Sequence, residues 1–218
     1  MEFKELTDWL DLRLREPLPG KAAQLKMSSL TRFRKLMKDK IPANAIESGV
    51  LILLYPKDND AAIVLMRRPD YRGVHGGQIS LPGGKRESAD KNIIDTALRE
   101  AQEEIGINPS EIVVQGCLTP MYIPPSNFIV TPVVGFQTTR PTFIPDPKEV
   151  AGIIEIGLMD FLNDRNIQMK KTKLSFGISL KVRSFYINEN VIWGATAMIL
   201  NEFREILLQH NIVGMTGL

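Results

Sequence analysis

The stretch LPGGKRESADKNIIDTALREAQEEIGI, residues 81–107, carries most of what this chain discloses about itself. It opens on Pro82-Gly83-Gly84, and a helical pattern follows from about Asp90 to Ile105. Asp90 is a fitting N-cap, and Gly106 with Pro109 beyond it makes a fitting stop. At ~100° per residue, Glu100, Glu103 and Glu104 fall within about a third of the helix circumference. Ile94, Leu98, Ala101 and Ile105 gather on another face. One side of the helix suits a core and another presents carboxylates. Three like charges at this spacing repel unless something neutralises them. A hard divalent cation held through oxygen would do so. Arg99 reaches Glu103 at the i,i+4 position. Taken alone, an acidic helix face is more often simply solvated, since Glu is a good helix former. The preceding glycines shift that balance. Gly83 and Gly84 let backbone approach a ligand closely, with amides to meet phosphate or a carbonyl to meet metal.

Outward from this segment the chain alternates strand and turn signals. Val50–Tyr55 and Ala61–Arg67 are apolar runs around a turn at Asn59-Asp60, which predicts a β-hairpin. A Gly-rich loop spans 73–84, and within it Gln78 and Ser80 are expected to order the turn. Downstream, strands are expected at 111–118, 128–136, 150–156 and 178–187, and a last helix at about 194–209. Strands on both sides of a mid-chain helix, with another helix at the end, predict an α/β fold, an α/β/α sandwich around a mixed sheet. Residues 1–45 read as an N-terminal helical extension to a domain over 46–218. Phe3, Leu6, Trp9, Leu10, Leu12 and Leu14 lie roughly at helical spacing until Pro17, Pro19 and Gly20 break the run. A second helix is expected to include Leu30–Lys38.

The totals bound the function. A length of 218 residues suits one domain with an appended segment, and 44% apolar residues allow a sizeable core. A net charge of +2 argues against nucleic acid as the main partner. The lone Cys117 excludes an internal disulfide, fits a reducing compartment and reads as a small buried apolar residue. No stretch approaches the ~20 apolar residues of a membrane span. The N-terminus mixes acids and bases and lacks the apolar core of a signal peptide. The expectation is a soluble, cytoplasmic protein with neither nucleic-acid nor membrane partner; a homodimer stays open. There are two histidines, His75 and His210, so no Ser-His-Asp or Cys-His arrangement competes for the chemistry. A lone His75 more often orders a loop than acts on substrate.

The central segment resembles the Nudix box, G-x5-E-x7-R-E-U-x-E-E-x-G-U with U aliphatic. Arg99, Glu100, Glu103, Glu104, Gly106 and Ile107 fall on its second half, with Ala101 at the aliphatic position. In the first half, counting from Gly84, the acidic position holds Asp90, and eight residues rather than seven separate it from Arg99. The resemblance implies that Glu100, Glu103, Glu104 and Arg99 form the catalytic set. Glu100 and Glu104 would be the principal ligands of Mg²⁺ or Mn²⁺, with Glu103 an additional ligand or one acting through water.

Three further segments are similar to the CoA pyrophosphatase branch of that superfamily. Leu65, Arg68, Gly77 and Pro82-Gly83-Gly84 match its L-L-T-x-R-(S/A)-x3-R-x3-G-x3-F-P-G-G signature, whereas Met66, Pro69 and Leu81 depart from it and Arg72 comes one residue early. Pro124–Gly135 resembles T-P-S-G-x-x-V-T-P-V-V-G, and Ile192–Ala197 resembles I-W-G-x-T-A. The resemblance covers about 45–209. It implies metal-assisted hydrolysis of the diphosphate of coenzyme A or acyl-CoA, giving 3′,5′-ADP and (acyl-)4′-phosphopantetheine. Arg67, Arg68 and Arg72 would then be candidate phosphate contacts, beside Gly83 and Gly84, because a guanidinium offers phosphate two hydrogen bonds at once. The proton of the attacking water would go to a box glutamate, or to Glu149 or Glu155 downstream. Two other readings stand beside this one: a Nudix pyrophosphatase acting on another nucleoside diphosphate derivative such as NADH or ADP-ribose, and a catalytically silent nucleotide-binding regulator. The second would be expected to have lost box glutamates, which this chain keeps.

Overall fold

Strand β1 (Ile46–Lys57) organises the molecule because its side chains feed two cores in strict alternation. The computed structural model describes residues 2–28, 41–69, 77–173 and 179–210. Leu51, Leu53 and Tyr55 point to one face of the sheet, Ile52 and Leu54 to the other. Strand β2 (Asp60–Arg67) pairs antiparallel with β1 as the expected hairpin and repeats the division. Its Ala62, Val64 and Met66 join the first core, and Ala61, Ile63 and Leu65 the second. A period of two with both faces apolar is the signature of a sheet covered on both sides.

The chain begins with helices α1 (Phe3–Arg13) and α2 (Gly20–Leu25). After the hairpin come β3 (Ile79–Ser80), β4 (Gly83–Lys85) and helix α3 (Ile93–Ile105). Then follow β5 (Val113–Cys117), β6 (Met121–Ile123), β7 (Phe128–Phe136), β8 (Gly152–Gly157) and helix α4 (Leu158–Leu162). Strands β9 (Ile167–Lys173), β10 (Ser179–Ile187) and β11 (Asn190–Ile192) precede the final helix α5 (Gly194–Leu207). The main sheet runs β3-β2-β1-β7-β5, with β4 also on β1, β6 on β7 and β8 on β2. β1 and β7 are parallel and the other pairs antiparallel, so the sheet is mixed as expected. Helix α3 covers one face through Ala97, Ala101 and Ile105; α1, α2 and α5 cover the other through Leu6, Leu10, Leu25 and Phe203. This is the α/β/α sandwich. Among the described residues no helix is long and apolar enough to cross a membrane.

Three features depart from the sequence reading. Helix α3 is capped by Asn92, whose side-chain oxygen accepts from the N–H groups of Ile94 and Asp95 at 2.8 and 3.0 Å. Asp90 is drawn away from that task by an arginine. A separate three-stranded sheet, β11-β10-β9, stands where a single strand is expected; the sequence IQMKKTK of β9 is too polar to announce a strand. The short strands β3 and β4 are built from the Gly-rich loop itself. The helix expected over Leu30–Lys38 lies outside the described residues, as do Arg72 and His75.

Two motif segments find their reasons in the backbone. Asn127, standing where the family pattern has Gly, adopts φ 56° in the turn between β6 and β7. Asn tolerates that left-handed conformation better than most side chains. Thr196 on α5 donates its hydroxyl to the Ile79 carbonyl at 3.1 Å, tying the Ile192–Ala197 motif to the strand that leads into Pro82-Gly83-Gly84.

Candidate active site

The site lies where the C-terminal half of α3 meets β4 and the end of β2. The loop is fastened to the sheet first: the Leu51 N–H donates to the Pro82 carbonyl at 2.8 Å, and Ser48–Val50 of β1 pair with Gly83–Lys85. Gly84 then faces the helix with no side chain of its own. A Cβ there would lie 2.3 Å from a Glu100 carboxylate oxygen, so any side chain at this position would push that carboxylate from its place. The Gly83 N–H donates to Glu104 Oε2 at 2.7 Å. The glycines thus let backbone press directly against two carboxylates of the helix. Gly106, at φ 71°, ends the helix in the left-handed conformation that glycine tolerates.

Asp90, Arg99 and the three glutamates form a connected set. Asp90 is buried, and its carboxylate receives Arg99 Nε at 2.9 Å and Nη2 at 3.1 Å, the Glu87 N–H at 2.9 Å and the Thr96 hydroxyl at 2.9 Å. The Arg99 hydrogen bonds chiefly hold this carboxyl well below the usual carboxylate range, against the opposing effect of burial. Gripped by Asp90, Arg99 reaches the Lys85 carbonyl at 3.1 Å, Glu100 Oε1 at 3.0 Å and Glu103 Oε2 at 2.9 Å. Asp90 is therefore a positioning residue for Arg99. Its extra residue of spacing from Arg99 is absorbed because it sits before the helix and folds back.

The glutamates differ in environment. Glu103 is exposed, Glu100 is partly covered, and the Glu104 side chain is 2% exposed. Burial pushes Glu104 up to about 7, opposed by the Gly83 amide and by Arg68, and reinforced by the charges of Glu100 and Glu149. Burial likewise raises Glu100; Arg99 opposes the shift, and Glu103 and Glu149 add to it. Arg68 Nη2 lies 3.4 Å from Glu104 Oε1. Arg67 turns to the opposite face of β2, where its guanidinium donates to Asn190 Oδ1 at 2.7 Å. The structure thus brings together Arg68, Gly83, Gly84, Arg99, Glu100, Glu103 and Glu104, and places Arg67 elsewhere.

Of the two downstream carboxylates, Glu155 is already committed. It accepts from Tyr55 Oη at 3.0 Å and from Arg140 at 2.7 and 3.1 Å, and it pairs with Lys57. Glu149 is exposed and close enough to Glu100 and Glu104 to repel both. Its loop is pinned to the end of α3 by the Asp146 N–H, which donates to the Glu104 carbonyl at 3.0 Å. The Asp90 grip and the Tyr55–Arg140 clasp on Glu155 join residues far apart in sequence and have no local signal. Asn92 was discoverable, since an Asn immediately before an apolar helical run is a capping signal.

Among the described residues, no three carboxylate, histidine or cysteine side chains converge as a ready-made metal cluster. Each glutamate of the helix instead engages an arginine. The donor set nonetheless fits a hard cation: the ligands are carboxylate oxygens only, and burial raises both covered glutamates, Glu100 and Glu104, despite their arginine partners.

Comparison with known proteins agrees with this geometry. The NUDIX domain family model matches residues 46–171. The Nudix hydrolase NudL of Yersinia enterocolitica serotype O:8 / biotype 1B is 36% identical over 170 residues, covering 78% of this chain and 84% of its own. NudL of Yersinia pestis strain Pestoides F is 35% identical over 146 residues, covering 67% and 72%. In fold, the solved Nudix hydrolase RenU of M. smegmatis aligns with a TM-score of 0.55 at 17% identity, over 76% of this chain and 88% of that one. The box helix, its glycine loop and these likenesses together make this chain a member of the Nudix hydrolase family, whose enzymes act on pyrophosphate substrates and generally use divalent metal ions.

Proposed function

We propose that the chain hydrolyses the diphosphate bond of coenzyme A or acyl-CoA, with Mg²⁺ or Mn²⁺ as cofactor. The observation that carries this reading is the position of Arg68. It stands at the signature arginine of the CoA pyrophosphatase-like segment, and it lies 3.4 Å from Glu104, so a phosphate-binding fork adjoins the carboxylates that suit a cation. Glu100 and Glu104 would hold the ion, with Glu103 as a further or water-mediated ligand. Once bound, a divalent ion supplies charge neutralisation at the diphosphate and an acidified water.

The chain's own residues supply the rest. Gly83 and Gly84 keep the floor of the site free of side chains, and Asp90 fixes Arg99 so that Glu100 and Glu103 keep their orientation. Arg68 offers a positive fork to a phosphate. As a new P–O bond forms from water to phosphorus and the anhydride P–O bond breaks, the water's proton must reach a carboxylate. Glu149 is suited to accept it, being exposed and beside Glu100 and Glu104, whereas Glu155 is occupied by Tyr55, Arg140 and Lys57.

The test is product analysis by mass spectrometry after incubation with coenzyme A and Mg²⁺ or Mn²⁺, alongside NADH and ADP-ribose. The expected products are 3′,5′-ADP and 4′-phosphopantetheine. Turnover of NADH or ADP-ribose with coenzyme A left intact would overturn the substrate assignment.

A further inference from the structure

We propose that Arg68 holds the place of a divalent cation at Glu104 and exchanges between that carboxylate and the anionic substrate, so that cation loading and substrate capture are coupled through one side chain. The proposal rests on the reading of Glu100 and Glu104 as cation ligands. Its observations are geometric. Among the described residues each oxygen of Glu104 has one partner: Oε2 takes the Gly83 N–H at 2.7 Å, and Oε1 faces Arg68 at 3.4 Å. The amide belongs to a strand paired with β1 and stays where it is. The guanidinium contact is long for a charged hydrogen bond, which ordinarily measures about 2.7–2.9 Å. The Arg68 side chain is 27% exposed, so it has a side open to solvent and to an arriving ligand. Its backbone is fixed at the end of β2, where its N–H donates to the Gln78 carbonyl at 3.0 Å, while the long side chain keeps its rotatable bonds.

Arg99 makes the useful contrast. It is held by two hydrogen bonds that it donates to the buried Asp90 and by one to a backbone carbonyl, besides its contacts with Glu100 and Glu103. Arg99 is built in; Arg68 is parked. At Glu104 an arginine and a divalent ion are competitors, since both are cations seeking the same oxygens. When Arg68 yields Glu104, its fork is released beside the site, and the anion suited to receive it is a substrate phosphate. Cation and substrate then each tighten the other, as linkage requires.

The experiment measures Mn²⁺ binding to the full chain without substrate, by paramagnetic resonance of free Mn²⁺ at pH 8. Arg68→Met, which keeps length and removes charge, should bind Mn²⁺ roughly 1.5- to 5-fold more tightly than wild type, the scale of losing a partly exposed competing ion pair. Arg68→Lys, which keeps a charge, should fall between the two. With ADP as the second ligand, Mn²⁺ should raise ADP affinity in wild type and raise it less in Arg68→Met. Unchanged or weaker Mn²⁺ binding by a folded Arg68→Met would mean that Arg68 only orients Glu104, and the exchange would fall while the cation reading stood. Absence of Mn²⁺ binding by wild type, or binding indifferent to Glu104→Gln, would overturn both.

Discussion

Two glutamates lie buried on opposite sides of the main sheet, and the protein treats them in opposite ways. Glu104 on α3 and Glu202 on α5 are 2% and 0% exposed. Glu202 receives four hydrogen bonds from neutral donors: the Gly20 N–H at 3.1 Å, Gln24 Nε2 at 2.8 Å, the Thr119 N–H at 3.3 Å and the Thr119 hydroxyl at 2.6 Å. These donors come from α2 and from the segment before β6, so this carboxylate ties α2 to α5 and to the sheet's edge. Glu104 receives one amide and a distant guanidinium, with Glu100 and Glu149 nearby to repel it. Equal burial therefore does not mean equal purpose. A buried carboxylate furnished with donors is a structural tie, whereas one with a single amide and a long guanidinium contact fits the cation ligand proposed above.

The largest expected effect separates the two. Glu100→Gln or Glu104→Gln should lower kcat on the order of 10²–10³, as removal of a preorganised electrostatic stabiliser does. Glu103→Gln, on an exposed side chain, should cost less. Thermal melting of Glu104→Gln should hold or rise, because the swap removes a buried and under-satisfied charge. Near-normal kcat at saturating Mg²⁺ for both Glu100→Gln and Glu104→Gln would defeat the assignment. Glu202→Gln should behave in reverse. Its amide N–H₂ would face donors in place of an acceptor, costing about 1–3 kcal/mol of stability for a buried donor left unpaired. Turnover per folded molecule should be unchanged. Denaturant unfolding and kcat measured on the same samples decide the matter.

Asp90 tests the comparison through pH. Its pKa is depressed in the folded state, so the stability it contributes is present above its unfolded pKa of about 3.9 and lost as pH falls toward the folded value. Asp90→Asn should be less stable than wild type at pH 6, and the gap should narrow below about pH 4. It should also lower kcat, because Arg99 would lose its anchor and with it the orientation of Glu100. A stability gap independent of pH would show that shape rather than charge at Asp90 matters.

Much of this was legible in the chain. The hairpin, the box helix and the closing helix announce themselves by apolar periodicity. The carboxylates that meet the Gly83-Gly84 loop, Glu100 and Glu104, announce themselves by spacing against a Gly-Gly turn. The rest depended on partners far apart in sequence. That Glu155 is spoken for follows from Tyr55 and Arg140, and that Glu202 is a tie follows from Gly20, Gln24 and Thr119. Neither set has a local pattern. The three-stranded sheet was hidden because Lys170, Lys171 and Lys173 give β9 the composition of a loop. The N-cap lies two residues beyond Asp90, at Asn92, and the sequence does not separate the two because both are good capping types. Only the position of Arg99 in three dimensions shows which of them is taken.

The smallest expected effect concerns Arg67 and Arg68, neighbours in sequence that fall on the two sides of the same strand. Along β2 the side chains alternate, so Arg68 follows Met66 to the Glu104 face and Arg67 follows Leu65 to the face that holds Glu202. If phosphate recognition resides on the Glu104 face, Arg68→Ala should raise KM for coenzyme A by roughly 10- to 150-fold, the range for losing a hydrogen bond to a charged group. The rise should be larger for coenzyme A than for dephospho-CoA if Arg68 meets the 3′-phosphate. Arg67→Ala should leave KM for both substrates nearly unchanged. Its loss is the exposed hydrogen bond to Asn190, which ties β2 to β11 and is worth at most about 1 kcal/mol. Steady-state kinetics on the two variants with both substrates would settle it. A KM rise for Arg67→Ala as large as that for Arg68→Ala would mean that the substrate reaches around the edge of the sheet, and the division of labour between its two faces would not hold.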